Sequence, residues 1–287
     1  MKRKVVKRST IQLKSRTSKN KSSVKRKWLN FLMGTSSFLF LFAIGFHYRS
    51  GLAYYFGFKS SKVIEKQESK RLTDVRNFQL LTQYADRVVG IDVSEYQGHI
   101  HWDKVKTIES TFPIQFAFMR ATAGKDKVDT QFGRNWTESK KNKLLRGAYH
   151  FYRPNENSLD QAAFFINTVT LHKGDFPPIL DIESIPKNQP MDSLKSGLRR
   201  WLTKVDQHYG IKPIIYTNER YYKDYLKDDF SDFQFWIANY NFFVETIQDD
   251  WLFWQFTEKA TIDGIDGNVD VNIYNGTPKM LNYLTKQ

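Results

Sequence analysis

From residue 88 onward the chain carries eight short apolar runs rich in β-branched and aromatic residues: "RVVGIDVS", "IQFAFMRAT", "LLRGAYHFY", "PPILDIES", "KPIIYTN", "FQFWIANY", "DWLFWQFT" and "NVDVNIYN". Runs of this length and composition read as strands. Between the first six lie segments long enough for helices, at 102–110, 130–143, 158–171, 191–209 and 219–228. "NSLDQAAFFINTVTLH" is the clearest, with Ser158 placed as an N-cap. After "FWIANY" the gaps shrink to about ten residues holding Gly, Asp and Thr, too few for a packed helix. Alternating strand–helix units call for parallel pairing with right-handed crossovers. The expected fold is α/β, a TIM-like barrel of eight strands with about five helices, (β/α)5(β)3, over residues 88–287. An open doubly wound sheet is the alternative.

A barrel of this kind gathers its active groups at the C-terminal ends of its strands. Four acids read as late in their strands: Asp92 in "GIDVS", Asp181 and Glu183 in "ILDIES", and Asp270 in "NVDVN". Asp181 and Glu183 are two apart and so share a face. Two like charges on one face of a buried strand are costly unless paired, protonated or in use. "GIDG" at 264–267 reads as turn chemistry, no Gly-rich phosphate loop precedes a helix, and no G-x-S-x-G elbow is present. The six His are scattered without metal-ligand spacing, so neither a metal nor another cofactor is expected. His150 in "AYHFY" reads equally as a site-lining or a satisfied core histidine. Clustered carboxylates with neither metal nor nucleophilic Ser point toward glycoside hydrolysis. Tyr96, Tyr149, Tyr216, Trp236, Tyr240 and Trp254 lie at or just past strand ends, where rings can stack on the apolar faces of sugars.

The formal net charge of +14 is unevenly spread. Residues 1–27 hold twelve of the 44 Lys and Arg and no acid, which leaves 32 basic against 30 acidic residues in the remainder. That balance excludes a nucleic-acid-binding fold for the outer domain. Residues 28–46, "WLNFLMGTSSFLFLFAIGF", are uncharged and long enough to span a bilayer. The basic flank belongs in the cytoplasm, which places the rest of the chain outside. Trp28 and the cluster Tyr48, Tyr54 and Tyr55 suit the two interfaces. A cleaved signal peptide is the rival reading, but the run is long for one and "HYRSGLAYYFGF" is a poor cleavage site. Expected organisation is thus a basic cytoplasmic tail (1–27), a single-pass anchor in a bacterial cytoplasmic membrane (28–46), a juxtamembrane linker or stalk helix (47–87) and the extracytoplasmic barrel. Cysteine is absent, which excludes disulfides, a Cys nucleophile and thiolate zinc sites.

"GIDVSEYQGHIHW", "FAFMRATAG", "RGAYHFYRP", "PPILDIES", "IIYTN", "FWIANY" and "FWQFT…GIDGNVDVNIYNG" together resemble glycoside hydrolase family 25 over residues 88–276. These are lysozymes that cut the β-1,4 linkage of N-acetylmuramic acid in peptidoglycan. The resemblance implies a barrel of eight strands and five helices, peptidoglycan as the partner, and Glu183 as the general acid supported by Asp181, Asp92 and Asp270. It also implies retention, with Asp181 either attacking directly or orienting the substrate's own N-acetyl group; the D-x-E pair favours the second role. One departure is visible: a family form like "KATEG" is replaced by "RATAG", with Arg120 and Ala123. A catalytically weak glycan-binding domain and a hydrolase of other N-acetylated glycans are the alternatives. Oligomeric state is left open.

Overall fold

The computed structural model describes residues 64–287, with side chains from residue 70 onward, and the isolated helical positions Thr35 and Ser37. The expected tail, the expected anchor apart from those two positions, and the first part of the connector lie outside the described residues. Among the described residues no helix is long and apolar enough to cross a membrane.

Within residues 64–287, ten strands and six helices follow in chain order. They are α1 (Ile64–Gln83), β1 (Val88–Val93), β2 (Thr107–Ile108), β3 (Phe112–Ala123), β4 (Lys127–Val128), α2 (Phe132–Lys141), β5 (Leu145–Phe151) and α3 (Ser158–Thr168). Then come β6 (Ile179–Asp181), α4 (Met191–Tyr209), β7 (Ile214–Asn218), α5 (Glu219–Tyr221), β8 (Gln234–Ala238), β9 (Trp251–Ala260), β10 (Val269–Tyr274) and α6 (Pro278–Leu284). All eight expected strands are present, and β2 and β4 are two-residue additions that pair with β3. The barrel closes in the order β1-β10-β9-β8-β7-β6-β5-β3, with β3 returning to β1. Pairing is parallel throughout except at β10, which runs antiparallel to both β1 and β9.

Three expectations need correction. Asn157, not Ser158, caps α3, its side chain accepting from Leu159 N and Asp160 N. The segment 102–110 is not helical: Trp102, Val105 and Ile108 are buried at helix-like spacing, but the segment is made of turns and the short strand β2. The Trp102 indole donates to Asn135 at 3.1 Å, and β2 pairs with β3, so turns take the place of a helix. Connector residues form α1, which from Glu68 onward belongs to the same compact unit as the barrel, Glu68–Gln287. Its buried positions Arg76, Asn77, Leu80 and Leu81 recur with the helical period and form the face turned toward the barrel.

Strand alternation sorts the side chains into two cores. Val88, Phe116, Phe118, Ile179, Ile214, Tyr216, Trp236, Phe253 and Tyr274 fill the inside, with Phe176 entering from the loop before β6 and Leu281 from α6. Val89, Ile91, Met119, Ala148, Leu180, Ile215, Ile237, Trp254 and Ile273 face outward, in the cluster that holds Phe165 of α3 and Leu194, Leu198 and Trp201 of α4. Inside, the rings of Phe116, Phe118, Phe176, Trp236 and Phe253 meet at centroid distances of 4.8–6.0 Å. Glycine makes room for them. A Cβ at Gly90 would overlap the Phe116 ring, and one at Gly147 would sit 2.7 Å from Phe118.

Overpacking of this kind costs up to about 3 kcal/mol, so Gly90→Ala is expected to fall at that upper end. Gly133→Ala, in α2 with open space around its Cβ, is expected to stabilise by about 0.5–1 kcal/mol. Thermal melts of the two variants beside the parent chain check both signs.

Candidate active site

Inward positions at one end of the barrel are polar. Asp92 on β1, Arg120 on β3, Tyr149 on β5, Asp181 on β6, Tyr216 on β7, Gln255 on β9 and Asp270 and Asn272 on β10 continue the inward-facing rows of their strands. Asp270 arrives there by a route different from the one expected. It is the second residue of its strand, and only the antiparallel direction of β10 brings that start to the end where the parallel strands finish. In register, Asp270 stands directly opposite Asp92.

The Asp92 carboxylate is buried, and one oxygen accepts two amide donors, Gln255 Nε2 at 2.6 Å and Asn272 Nδ2 at 2.8 Å. Those amides are themselves held. Asn272 Oδ1 accepts from the Trp236 indole at 2.7 Å, and Gln255 Oε1 accepts from the hydroxyls of Tyr216, at 2.7 Å, and Tyr240. Each amide is thereby locked with its N–H toward the acid. Burial drives Asp92 up to about 6 against the pull of Asn272 and Gln255. Burial and the neighbouring Asp92 push Asp270 further, to about 9, so at neutral pH Asp270 is the protonated partner of the pair.

Asp181 and Glu183 form the second pair. Asp181 ends β6 and is buried, with Oδ1 lacking a hydrogen-bond partner. Glu183 lies two residues past the strand and is open to solvent. Burial raises both carboxyls, and Asp181 is driven well above its usual range by burial, by Glu183 and by Asp92, with Arg120 opposing. Both carboxyls are raised, so the pair keeps a proton to a higher pH than a lone carboxylate would.

One wall is an ion network around Arg120. Its guanidinium contacts Glu95 and Asp129, each at 2.9 Å, and lies 4.7 Å from the centre of the Tyr96 ring. Lys127 also pairs with Glu95, and holds that acid down at about 2. The arginine of "RATAG" therefore braces Tyr96, which is 80% exposed at the rim.

Of the expected ring platforms, Tyr96 and Tyr240 are open to solvent and Tyr149 is half-buried among the acids. Tyr216 and Trp236 are buried and serve the Gln255 and Asn272 braces. Trp254 does not reach the site. With Phe253 and Gln255 turned inward, alternation turns Trp254 outward, where it is fully buried against Tyr84 and Trp251 and donates to Asn239 O at 3.0 Å. His150 likewise faces outward, stacked on Trp201 at 5.4 Å and bonded to Thr122 and Gln161, and burial lowers it to about 3. Sequence reasoning missed Gln255 and Asn272. The available signal was a polar amide within each of two apolar strands, with Asn272 two residues from Asp270 and so on its face.

Comparisons with known proteins bear on the family and the fold. The sequence model of glycosyl hydrolases family 25 matches residues 91–265. An uncharacterized Escherichia coli protein, YegX, is 38% identical over 211 residues, covering 72% of this chain and 76% of its own length. Lysozyme M1 of Streptomyces globisporus is 31% identical over 209 residues, covering 68% and 70%. A solved family 25 glycosyl hydrolase from Bacillus anthracis superposes with a TM-score of 0.63 at 28% identity, over 70% of this chain and 95% of that one.

An acid held above its unfolded value of ~3.9 makes folding less favourable as pH rises, because the folded state keeps a proton that the unfolded chain releases. For Asp270 the window runs from ~4 up to about 9. The contribution of Asp270 to stability is expected to fall across it, so Asp270→Asn should melt above the parent at pH 8 but level with it at pH 4. Calorimetric scans at the two pH values decide.

Proposed function

Because the chain belongs to glycosyl hydrolases family 25, we propose that it hydrolyses the β-1,4 bond between N-acetylmuramic acid and N-acetylglucosamine in peptidoglycan, with retention and with Glu183 as general acid and base. The chain is a lysozyme-type glycoside hydrolase. The observation that carries the finer reading is the Asp181–Glu183 pair: one carboxyl enclosed with an unpartnered oxygen, the other two residues further on and open to solvent.

Chemistry follows from that asymmetry. When the N-acetyl group of the bound sugar offers its N–H to Asp181 Oδ1, Asp181 must be a carboxylate, and the shared proton moves to Glu183. Glu183 then protonates the glycosidic oxygen as the C1–O bond breaks, and the N-acetyl carbonyl oxygen bonds to C1 from the opposite face. Positive charge develops on the amide nitrogen beside Asp181. Water attacks C1 next, breaking its bond to the N-acetyl oxygen so that the neutral amide re-forms, and gives its proton to the Glu183 carboxylate, which restores the shared proton. Asp92, ionised above about 6 and held by two amides, adds negative potential near the oxocarbenium-like centre. Asp270, protonated, hydrogen-bonds Asp92. Tyr149 lines the cleft, and Tyr96 and Tyr240 supply open rings for neighbouring sugars.

Residues 28–46 anchor the chain in the cytoplasmic membrane on this reading, with the basic tail inside and the barrel outside, where peptidoglycan lies.

Full-length protein incubated with purified peptidoglycan is expected to release muropeptides that end, after reduction, in N-acetylmuramitol by mass spectrometry. Glu183→Gln is expected to lower kcat by about 10³. Products ending in reduced N-acetylglucosamine, or undiminished release by the variant, would overturn the reading. For the anchor, the intact chain is expected to stay with membranes through alkaline carbonate extraction and to leave them when 28–46 is deleted. A mature N-terminus downstream of residue 46 would show a cleaved signal instead.

A further inference from the structure

Strands β8 and β9 run parallel, yet the residues that join them, 239–250, contain no helix. A parallel crossover is ordinarily braced by its own packed helix. This one is braced from outside, by α1. The Arg76 side chain is 6% exposed. Its guanidinium donates to four backbone carbonyls: Asn241 at 2.9 Å and Val244 at 3.3 Å from Nη2, Phe242 at 3.3 Å from Nε, and Phe256 on β9 at 2.9 Å from Nη1. Just past the end of α1, the Tyr84 hydroxyl accepts from Ile247 N at 2.9 Å and donates to Glu245 O at 3.3 Å. Helix α1 and the residue after it thus grip one continuous stretch, 241–247, and tie it to β9.

That stretch begins beside the catalytic cleft. Asn239 N donates to Gln255 O at 3.0 Å, Asn239 Nδ2 to Glu219 at 2.6 Å, and the Tyr240 hydroxyl bonds Gln255 Oε1, whose amide holds Asp92. Arg76 reaches no carboxylate within ion-pair distance among the described residues. A planar fork of five donors can serve four carbonyls at once; a lysine ammonium cannot.

We propose that Arg76 is a positioning residue for the substrate cleft: through segment 241–247 it fixes Tyr240 against Gln255, and through Gln255 the Asp92 carboxylate. The segment also carries Phe242 and Phe243, 49% and 83% exposed, so the same grip sets where two further rings stand at the rim. The inference rests on the reading of this cleft as the glycan-cleaving site.

The test compares full-length parent, Arg76→Met, Arg76→Lys and Leu80→Ala on solubilised peptidoglycan, below the melting point of every variant. Leu80 is buried on α1, so its truncation weakens helix packing without removing a hydrogen bond to the loop. Arg76→Met is expected to lose roughly tenfold in kcat/KM, mainly through KM, with faster hydrogen exchange confined to 241–247. Arg76→Lys should recover little of the loss. Leu80→Ala should melt earlier with KM unchanged. Parental KM and exchange in Arg76→Met would overturn the proposal, as would an equal rise of KM in Leu80→Ala. An inactive parent would instead overturn the reading of the cleft.

Discussion

Strand β1 is hydrogen-bonded on both sides, parallel to β3 and antiparallel to β10, and this double pairing closes the barrel and builds half of its acid cluster. Closure removes the sheet edges and gives every strand an inside. The reversed direction of β10 delivers Asp270 and Asn272 to the end where β1, β3, β5 and β6 deliver Asp92, Arg120, Tyr149 and Asp181. Glycine at 90 and 147 admits large rings below that layer, so the polar groups rest on a solid aromatic floor.

The acids sit where carboxylates are least at ease. Each of the four is pushed above its usual range, with burial as the first cause. Different surroundings then separate them. Two amides favour ionised Asp92, whereas among the described residues no amide donates to Asp270, which keeps its proton and offers it to Asp92. Asp181 is enclosed and Glu183 is open, so the two raised carboxyls differ in their access to water. Such divergence between neighbouring carboxyls is how one cleft holds an acid and an anion at the same pH.

Much of this could be read from the chain. Eight strands are legible because β-branched and aromatic runs recur with helix-length gaps, and the four acids are legible because each interrupts such a run. The direction of β10 was not taken from the sequence, although the link 261–268 is too short for a parallel crossover and so forces a reversal. Trp254 and Gln255 are neighbours in "FWQFT", and composition does not say which of them faces inward. The turns at 102–110 mimic a helix because their anchors happen to fall three residues apart. Arg76 sits in a mixed-charge stretch that reads as solvated; the carbonyls that bury it lie 165–180 positions away.

The amides that hold Asp92 follow it by 163 and 180 positions along the chain. A polypeptide made and delivered N-terminus first therefore presents Asp92, Asp181 and Glu183 long before Gln255 and Asn272 exist to complete their surroundings. The barrel closes only where β10 pairs with β1, so the surroundings of these carboxyls are completed by the last strand of the sheet to be made.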